Sequence, residues 1–360
     1  MGRSELQPQI NKVIAAFQSG DWERADLLWR QAQALSPNSA ELLALRGSML
    51  MSMRRFEEAM AAFEQALLLN PALVEAHHNL AVLLGAAGRV DEALLQLDRV
   101  LDSQPTNIDA HRRRILTLAE LGQHEAAMTA AAVAIARCPA SVDLLVARAA
   151  AERLAGDHES AMATIAEALA EAPEHARAWA EKGSTLHALG QLTEALDAFD
   201  EALGIEETVF ALNGIGLVEL DMGMGKAALA AFQRALDLDA DNFDARFYCS
   251  QTLEVLGRFD EALAAYSDVL ARRPNNAFAY NNIGKIKRDM GLINDAIVAF
   301  RRAMTLDPSN PQIVSNLLLT LLYDPRQRAE ELAEEHRSFG RCFGQSSARF
   351  TAWPNAKQPD

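Results

Sequence analysis

Cysteine, proline, glycine and aromatic side chains are all scarce here, and each shortage excludes a class of protein. Three cysteines in 360 residues, Cys138, Cys249 and Cys342, stand about a hundred residues apart. That spacing leaves no disulfide framework and no paired-cysteine metal motif, so all three are read as reduced thiols. With 12 prolines and 19 glycines, the chain cannot be collagen-like. Half of it is apolar, so it is not disordered either, although only 6% is aromatic. Basic residues are outnumbered 34 to 49, the wrong balance for neutralising phosphates, and no nucleic-acid partner is expected. No apolar run reaches the roughly 18 residues that would span a bilayer, and the first residues lack a basic-then-apolar leader pattern. The expectation is a cytoplasmic protein without a membrane partner.

What is present is periodic. Pro37, Pro71, Pro105, Pro139 and Pro173 are spaced by 34 residues, and Pro274 and Pro308 resume the interval. Alanine keeps the same step at Ala25, Ala59, Ala93, Ala127, Ala161 and Ala195, then again at Ala228, Ala262 and Ala296 after one interval of 33. One residue is therefore missing near 204–208, where the usual proline is absent too. Nine repeats result, at 6–39, 40–73, 74–107, 108–141, 142–175, 176–208, 209–242, 243–276 and 277–310.

Each repeat has the same internal grammar. Glycine stands five residues before the marker alanine in eight repeats, and Arg54 replaces it in the other. Helices often end on a left-handed residue, so this glycine closes a first helix. Four residues after the alanine comes a large apolar side chain (Trp29, Phe63, Leu97, Ile165, Phe199, Phe232, Tyr266, Phe300), reduced only at Ala131. An Ala or Val follows three residues later, which puts all three on one face of a second helix. Proline then ends that helix. This grammar resembles the tetratricopeptide repeat (TPR) family. The resemblance implies an all-α, right-handed superhelical TPR solenoid over 6–310, whose first helices line a concave, peptide-binding groove. Residues 311–344 are expected to add one more first helix and a capping helix bearing Leu332, His336, Phe339 and Phe343, and 345–360 an extended linker.

No Walker loop, dinucleotide fingerprint, nucleophile elbow or zincin motif occurs, so no catalytic residue, cofactor or metal is expected. His77 with His111, and His124 with His158, share repeat positions but lack further ligands, and read as packing, turn or groove residues. In the family, positions two, five, six and nine of a first helix face the groove. Here they supply Asn79, Asp109, Arg112 and Arg113 early in the chain, then Asn213, Phe247, Tyr248, Gln251, Asn281, Asn282, Lys285, Ser315 and Asn316 late. Asparagine offers one acceptor and two donors, enough to grip a peptide unit whatever its side chains, but near a helix start it equally satisfies local backbone. The arginines suit an acidic peptide or a salt-bridged face. Repeats six and seven carry 12 acids against 4 bases, a belt that steers basic partners or keeps the array dispersed.

The segment 315–344, with Asn316-Leu317-Leu318, Tyr323-Asp324-Pro325 and Glu335-His336-Arg337, followed by Trp353-Pro354-Asn355-Ala356, resembles the connector of bacterial O-GlcNAc transferase-like (family 41) glycosyltransferases. In that family the repeats feed polypeptide to a catalytic domain of two Rossmann-like lobes, which would begin after Asp360, and an asparagine ladder grips the acceptor. Asn79, Asn282 and Asn316 occupy the ladder position. Two readings follow: the substrate-recruiting arm of a protein O-glycosyltransferase, in one polypeptide or as a separate partner, or a stand-alone adaptor assembling a complex unrelated to glycosylation.

Overall fold

Twenty helices and no strand occupy residues 3–343, the residues described by a computed structural model of the chain. The expected linker, 345–360, and with it Trp353 to Ala356, lies outside the described residues. The chain divides into two compact units, Met1–Ile205 and Glu206–Asp360. The division falls at the shortened repeat, where three residues, 206–208, separate two helices that four residues separate elsewhere, as at 172–175.

Unit 1 holds α1 (Arg3–Gln18), α2 (Trp22–Leu35), α3 (Ala40–Ser52), α4 (Phe56–Leu69), α5 (Val74–Ala86), α6 (Val90–Ser103), α7 (Ile108–Glu120), α8 (His124–Arg137), α9 (Val142–Leu154), α10 (His158–Glu171), α11 (Ala176–Ala188) and α12 (Leu192–Ile205). Unit 2 holds α13 (Val209–Asp221), α14 (Gly225–Leu238), α15 (Phe243–Val255), α16 (Phe259–Arg272), α17 (Ala277–Asp289), α18 (Ile293–Leu306), α19 (Pro311–Leu321) and α20 (Ala329–Phe343). Odd-numbered helices up to α17 are first helices and even-numbered ones their partners. Each second helix packs on its own first helix and on the next one within its unit. First helices also touch one another, α7 with α9 and α9 with α11 in unit 1, α13 with α15, α15 with α17 and α17 with α19 in unit 2. They therefore form the inner layer of each unit.

Local chemistry fixes where helices start and stop. Ser39, Asn107, Thr208, Asn242 and Asn276 accept a hydrogen bond from a backbone N–H in the first turn of the first helix each precedes. At the other end, the N–H of Gly88 donates to the Gly85 carbonyl at 3.0 Å and that of Arg89 to the Leu84 carbonyl at 2.9 Å. This doubly bonded stop needs a left-handed residue, and Gly88 supplies it with φ 76°. Arg54 makes the same two-bond turn at φ 60°, the one non-glycine among the described residues with positive φ.

Position four of the first helix carries a second recurring device. The indole N–H of Trp179 donates to the Pro173 carbonyl at 2.8 Å, and Nε2 of His77 and of His111 reaches the Pro71 and Pro105 carbonyls at 2.9 Å. Arg246 does the same to Ala240. His77 and His111 thus hold the inter-repeat turn, while His124 and His158 open α8 and α10.

The core of each hairpin rests on two residues sixteen apart, at positions 8 and 24 of the repeat. A Cβ added at Gly47, Gly183, Gly216 or Gly284 would lie 2.5–2.9 Å from the ring of Phe63, Phe199, Phe232 or Phe300. Where position 24 is smaller, position 8 is larger than glycine: Ala81 clusters with Leu97, and Ala149 and Ile165 hold the same two positions, all buried. Ala131, the one shrunken residue at position 24, faces the one isoleucine, Ile115, in the same buried cluster. The first repeat pairs Val13 with Trp29, whose buried indole reaches to the next repeat and donates to the Leu42 carbonyl at 2.7 Å.

At the C-terminal end, Leu332 and Phe339 of α20 pack against a cluster built on Phe300, Leu317 and Leu321. His336 is exposed rather than part of that contact.

A non-glycine residue in the left-handed region costs roughly 1–2 kcal/mol. Arg54→Gly is therefore expected to stabilise the α3–α4 hairpin by about 1 kcal/mol, read as slower hydrogen exchange across residues 40–69. Faster exchange there would show that the Arg54 side chain matters more than its backbone strain.

Candidate functional site

The candidate site is the inner layer of first helices, and the two units furnish it differently. In unit 1, Asn79 donates to the Ser48 hydroxyl at 3.4 Å. Arg113 Nε donates to Asp109 Oδ2 at 2.7 Å, Arg112 bonds the other oxygen, and His78 Nε2 lies 3.3 Å from the same carboxylate. Burial disfavours the charged Asp109, yet the hydrogen bonds from Arg113 and Arg112 outweigh it and hold the carboxyl below its ordinary range. His78 is shifted down, by burial first and by the two guanidinium charges after it, against the pull of Asp109. The two arginines are therefore engaged within unit 1, and Arg114 is paired with Asp98 at 2.7 Å.

Unit 2 holds the other nine candidates and joins four of them, Asn281, Asn282, Lys285 and Asn316, in one network, with Ser315 exposed beside it. Asn316 Nδ2 donates to Asn281 Oδ1 at 2.9 Å, and Asn281 Nδ2 approaches Asn282 Oδ1 at 3.4 Å. Asn282 Nδ2 donates to the Tyr266 hydroxyl at 2.9 Å, which faces Glu254 Oε2 at 3.3 Å. Lys285 Nζ closes the chain on Glu254 Oε1 at 2.7 Å. Four helices, α15, α16, α17 and α19, are tied by this one network. Asn281 and Asn282 are buried inside it, whereas Asn316 and Lys285 are half-exposed at its edge.

Aromatic rings continue the layer. Phe247 stacks on Phe243 with centroids 6.2 Å apart and meets Tyr266 edge-on at 5.9 Å. Tyr248 lies tilted against Phe232 at 5.3 Å. Gln251 is half-buried one turn further along α15. Asn213, on α13, reaches Asn242 Oδ1 at 3.4 Å while its own Oδ1 is buried without a partner.

Two members of the network, Tyr266 and Glu254, are absent from the groove positions read in the sequence. A signal was there: Tyr266 is the one hydroxyl-bearing residue among the large side chains at position 24, and a buried hydroxyl requires a partner. Burial, and then the Glu254 charge, push the phenol well above its usual value, so it stays protonated and donates.

Burial pushes the Cys249 thiol up to about 11, which removes its thiolate at neutral pH. Among the described residues no group of three or more His, Cys, Asp or Glu could hold a metal ion. No described helix is long and apolar enough to cross a membrane.

Comparison with known proteins decides the family. Sequence profiles of the tetratricopeptide repeat match residues 10–77 and 146–208, 50–115 and 219–283, and 279–310, most of the chain between them. The chain belongs to the tetratricopeptide repeat family. Its TPR array is similar to a tetratricopeptide repeat protein from Parabacteroides merdae, with a TM-score of 0.61 at 17% identity over 69% of this chain and 99% of that one. It is also similar to a chain of the APC/C hetero-tetramer Cut9-Hcn1, at 0.60 and 13% over 92% and 86%. Among curated proteins it is 26% identical over 146 residues to human protein O-mannosyl-transferase TMTC1, covering 41% of this chain and 17% of that protein. It is 26% identical over 141 residues to human tetratricopeptide repeat protein 6, covering 38% of this chain and 26% of that protein. The matched region is thus a fraction of each human relative, and the likeness shows the TPR scaffold, a fold suited to holding other proteins.

Removing the Tyr266 hydroxyl strands a buried amide and a carboxylate, a loss of about 1–3 kcal/mol. Tyr266→Phe is expected to lower the chemical-denaturation midpoint of unit 2, followed by hydrogen exchange in α15 to α17. An unchanged midpoint and exchange pattern would show that the network does not hold these helices.

Proposed function

We propose that the chain is a TPR scaffold that holds extended polypeptide on its inner layer and serves as the substrate-recruiting arm of a protein O-glycosyltransferase. The observation that carries the peptide-holding part is the half-exposed row of Phe247, Gln251, Lys285 and Asn316, held over the internally bonded network of Tyr266, Asn281 and Asn282. A pre-ordered polar and aromatic face loses little side-chain freedom on binding, which is what an extended, backbone-gripping partner requires. Asn281 and Asn282 act in this reading as the support of the face, and Asn316 as the amide that meets the peptide.

Two likenesses support the link to glycosyl transfer. The segment 315–344 resembles the connector of family 41-like enzymes, and its described part, 315–343, forms most of α19, a turn at Asp324, and α20. A human protein O-mannosyl-transferase carries a stretch similar to 41% of this chain. Pyrophosphate recognition relies on glycine-rich loops at helix N-termini, and eight of the glycines here are engaged as left-handed helix stops instead. The TPR array on its own is therefore expected to bind acceptor polypeptide and no nucleotide sugar.

The test is purification of the protein, tagged at its native locus, with identification of everything in the same polypeptide or complex. A nucleotide-sugar-dependent glycosyltransferase that modifies Ser or Thr, with Phe247→Ala and Asn316→Ala reducing that modification several-fold, is the expected result. A complex containing no such enzyme contradicts the glycosyl-transfer link and leaves an adaptor.

A further inference from the structure

Side chains at position two of successive first helices lie side by side on the inner layer. In unit 1 this is visible directly, because Arg177 Nη1 lies 2.8 Å from Asp143 Oδ1 and both occupy position two of adjacent repeats. Two of the acidic residues at that position in unit 1 are neutralised, Asp143 by Arg177 and Asp109 by Arg112 and Arg113, whereas Glu41 and Glu75 are exposed. The next occupants of the position, in unit 2, are Phe210, Asp244 and Phe278, on three first helices that touch in succession.

What sets these three apart is the pair of aromatic residues around the acid. Asp244 is exposed and makes no ion pair or hydrogen bond with a described residue. Its neighbours along the row are phenyl rings left 50% and 57% open to solvent. A negative charge in the first turn of α15 favours that helix, which accounts for an acidic residue at 244. It does not account for two large rings facing water on either side. A carboxylate without a cation, set between two open aromatic faces, is the complement of a basic side chain between two apolar ones. The surplus of acid over base, a formal net charge of -15, attracts such a partner.

The spacing of the row translates into a sequence pattern. Packed helices lie about 8–10 Å apart, and an extended chain advances about 3.3 Å per residue, so adjacent sites are matched by residues about three apart. We infer that the inner layer of unit 2 selects extended polypeptide segments in which a Lys or Arg is flanked three residues away, on each side, by an apolar residue. The apolar side chains lie on Phe210 and Phe278, and the cation meets Asp244. This specificity rests on the peptide-holding reading and adds a sequence preference to it.

The test is fluorescence anisotropy on the 360-residue chain with labelled peptides carrying two leucines around a central lysine, two serines filling each gap. A second peptide has glutamate in place of the lysine. The lysine peptide is expected to bind about ten-fold or more tightly than the glutamate peptide, and Asp244→Lys to reverse that order at a temperature where circular dichroism shows both proteins folded. Phe278→Ser should weaken binding of the lysine peptide several-fold. If both peptides bind equally, or Asp244→Lys leaves the preference unchanged, the inference fails while the peptide-holding reading stands. If neither peptide nor any unstructured Ser- and Thr-rich peptide binds, the peptide-holding reading fails with it.

Discussion

The contact on which each hairpin depends is the one between positions 8 and 24 of its repeat. Two helices that cross closely leave a fixed volume at the crossing, and close packing requires the two side chains to share it. Gly216 against Phe232 and Ile115 against Ala131 are opposite solutions to one constraint, with Ala81 and Leu97 between them. In seven of the nine repeats a large apolar residue at one position goes with glycine or alanine at the other, so hairpins with different cores fill the crossing alike. Tolerance to sequence change in this array is therefore a property of pairs, not of single positions.

A shared register is what builds a site from residues 34 apart in sequence. With constant spacing, position six of one repeat comes to lie beside position five of the previous one, as Asn316 does with Asn281. The same geometry lets Lys285 and Glu254 meet between α17 and α15. Function in such an array needs no convergence of distant loops; it needs an uninterrupted inner layer with side chains that differ from repeat to repeat. Here unit 1 fills that layer with compensated charges around Asp109, and unit 2 with amides, rings and an uncompensated Asp244.

Much of this was legible in the sequence, because period, stop signals and marker residues are set by local rules. The 34-residue spacing, the glycine stops and the α20 stripe each follow from backbone conformation or helical periodicity. The exception at Arg54 was visible, and its left-handed backbone explains why glycine is the usual choice there. What the sequence did not reveal is direction. Asn281 and Asn282 sit at groove positions, yet their amides are buried, bonded to the Tyr266 hydroxyl and to Asn316. The polar partnerships of Tyr266 and Glu254 leave no mark on local periodicity, because they span twelve residues or more. Ala131 likewise looks isolated in the sequence, because its compensation, Ile115, lies sixteen residues away on the facing helix.

The most direct measurement of the shared-volume account is a double-mutant cycle at Ile115 and Ala131. Hydrogen exchange across α7 and α8 is the suitable probe, since stability in a stacked array is local. Ala131→Phe alone should overpack the crossing and cost about 1–3 kcal/mol, and Ile115→Gly alone should open a cavity and cost at least as much. Combined, they recreate the glycine and phenylalanine of four other repeats, and the double variant should be more stable than either single one. If the two losses simply add, the helices adjust independently and the pairwise constraint is not what sets the spacing of the array.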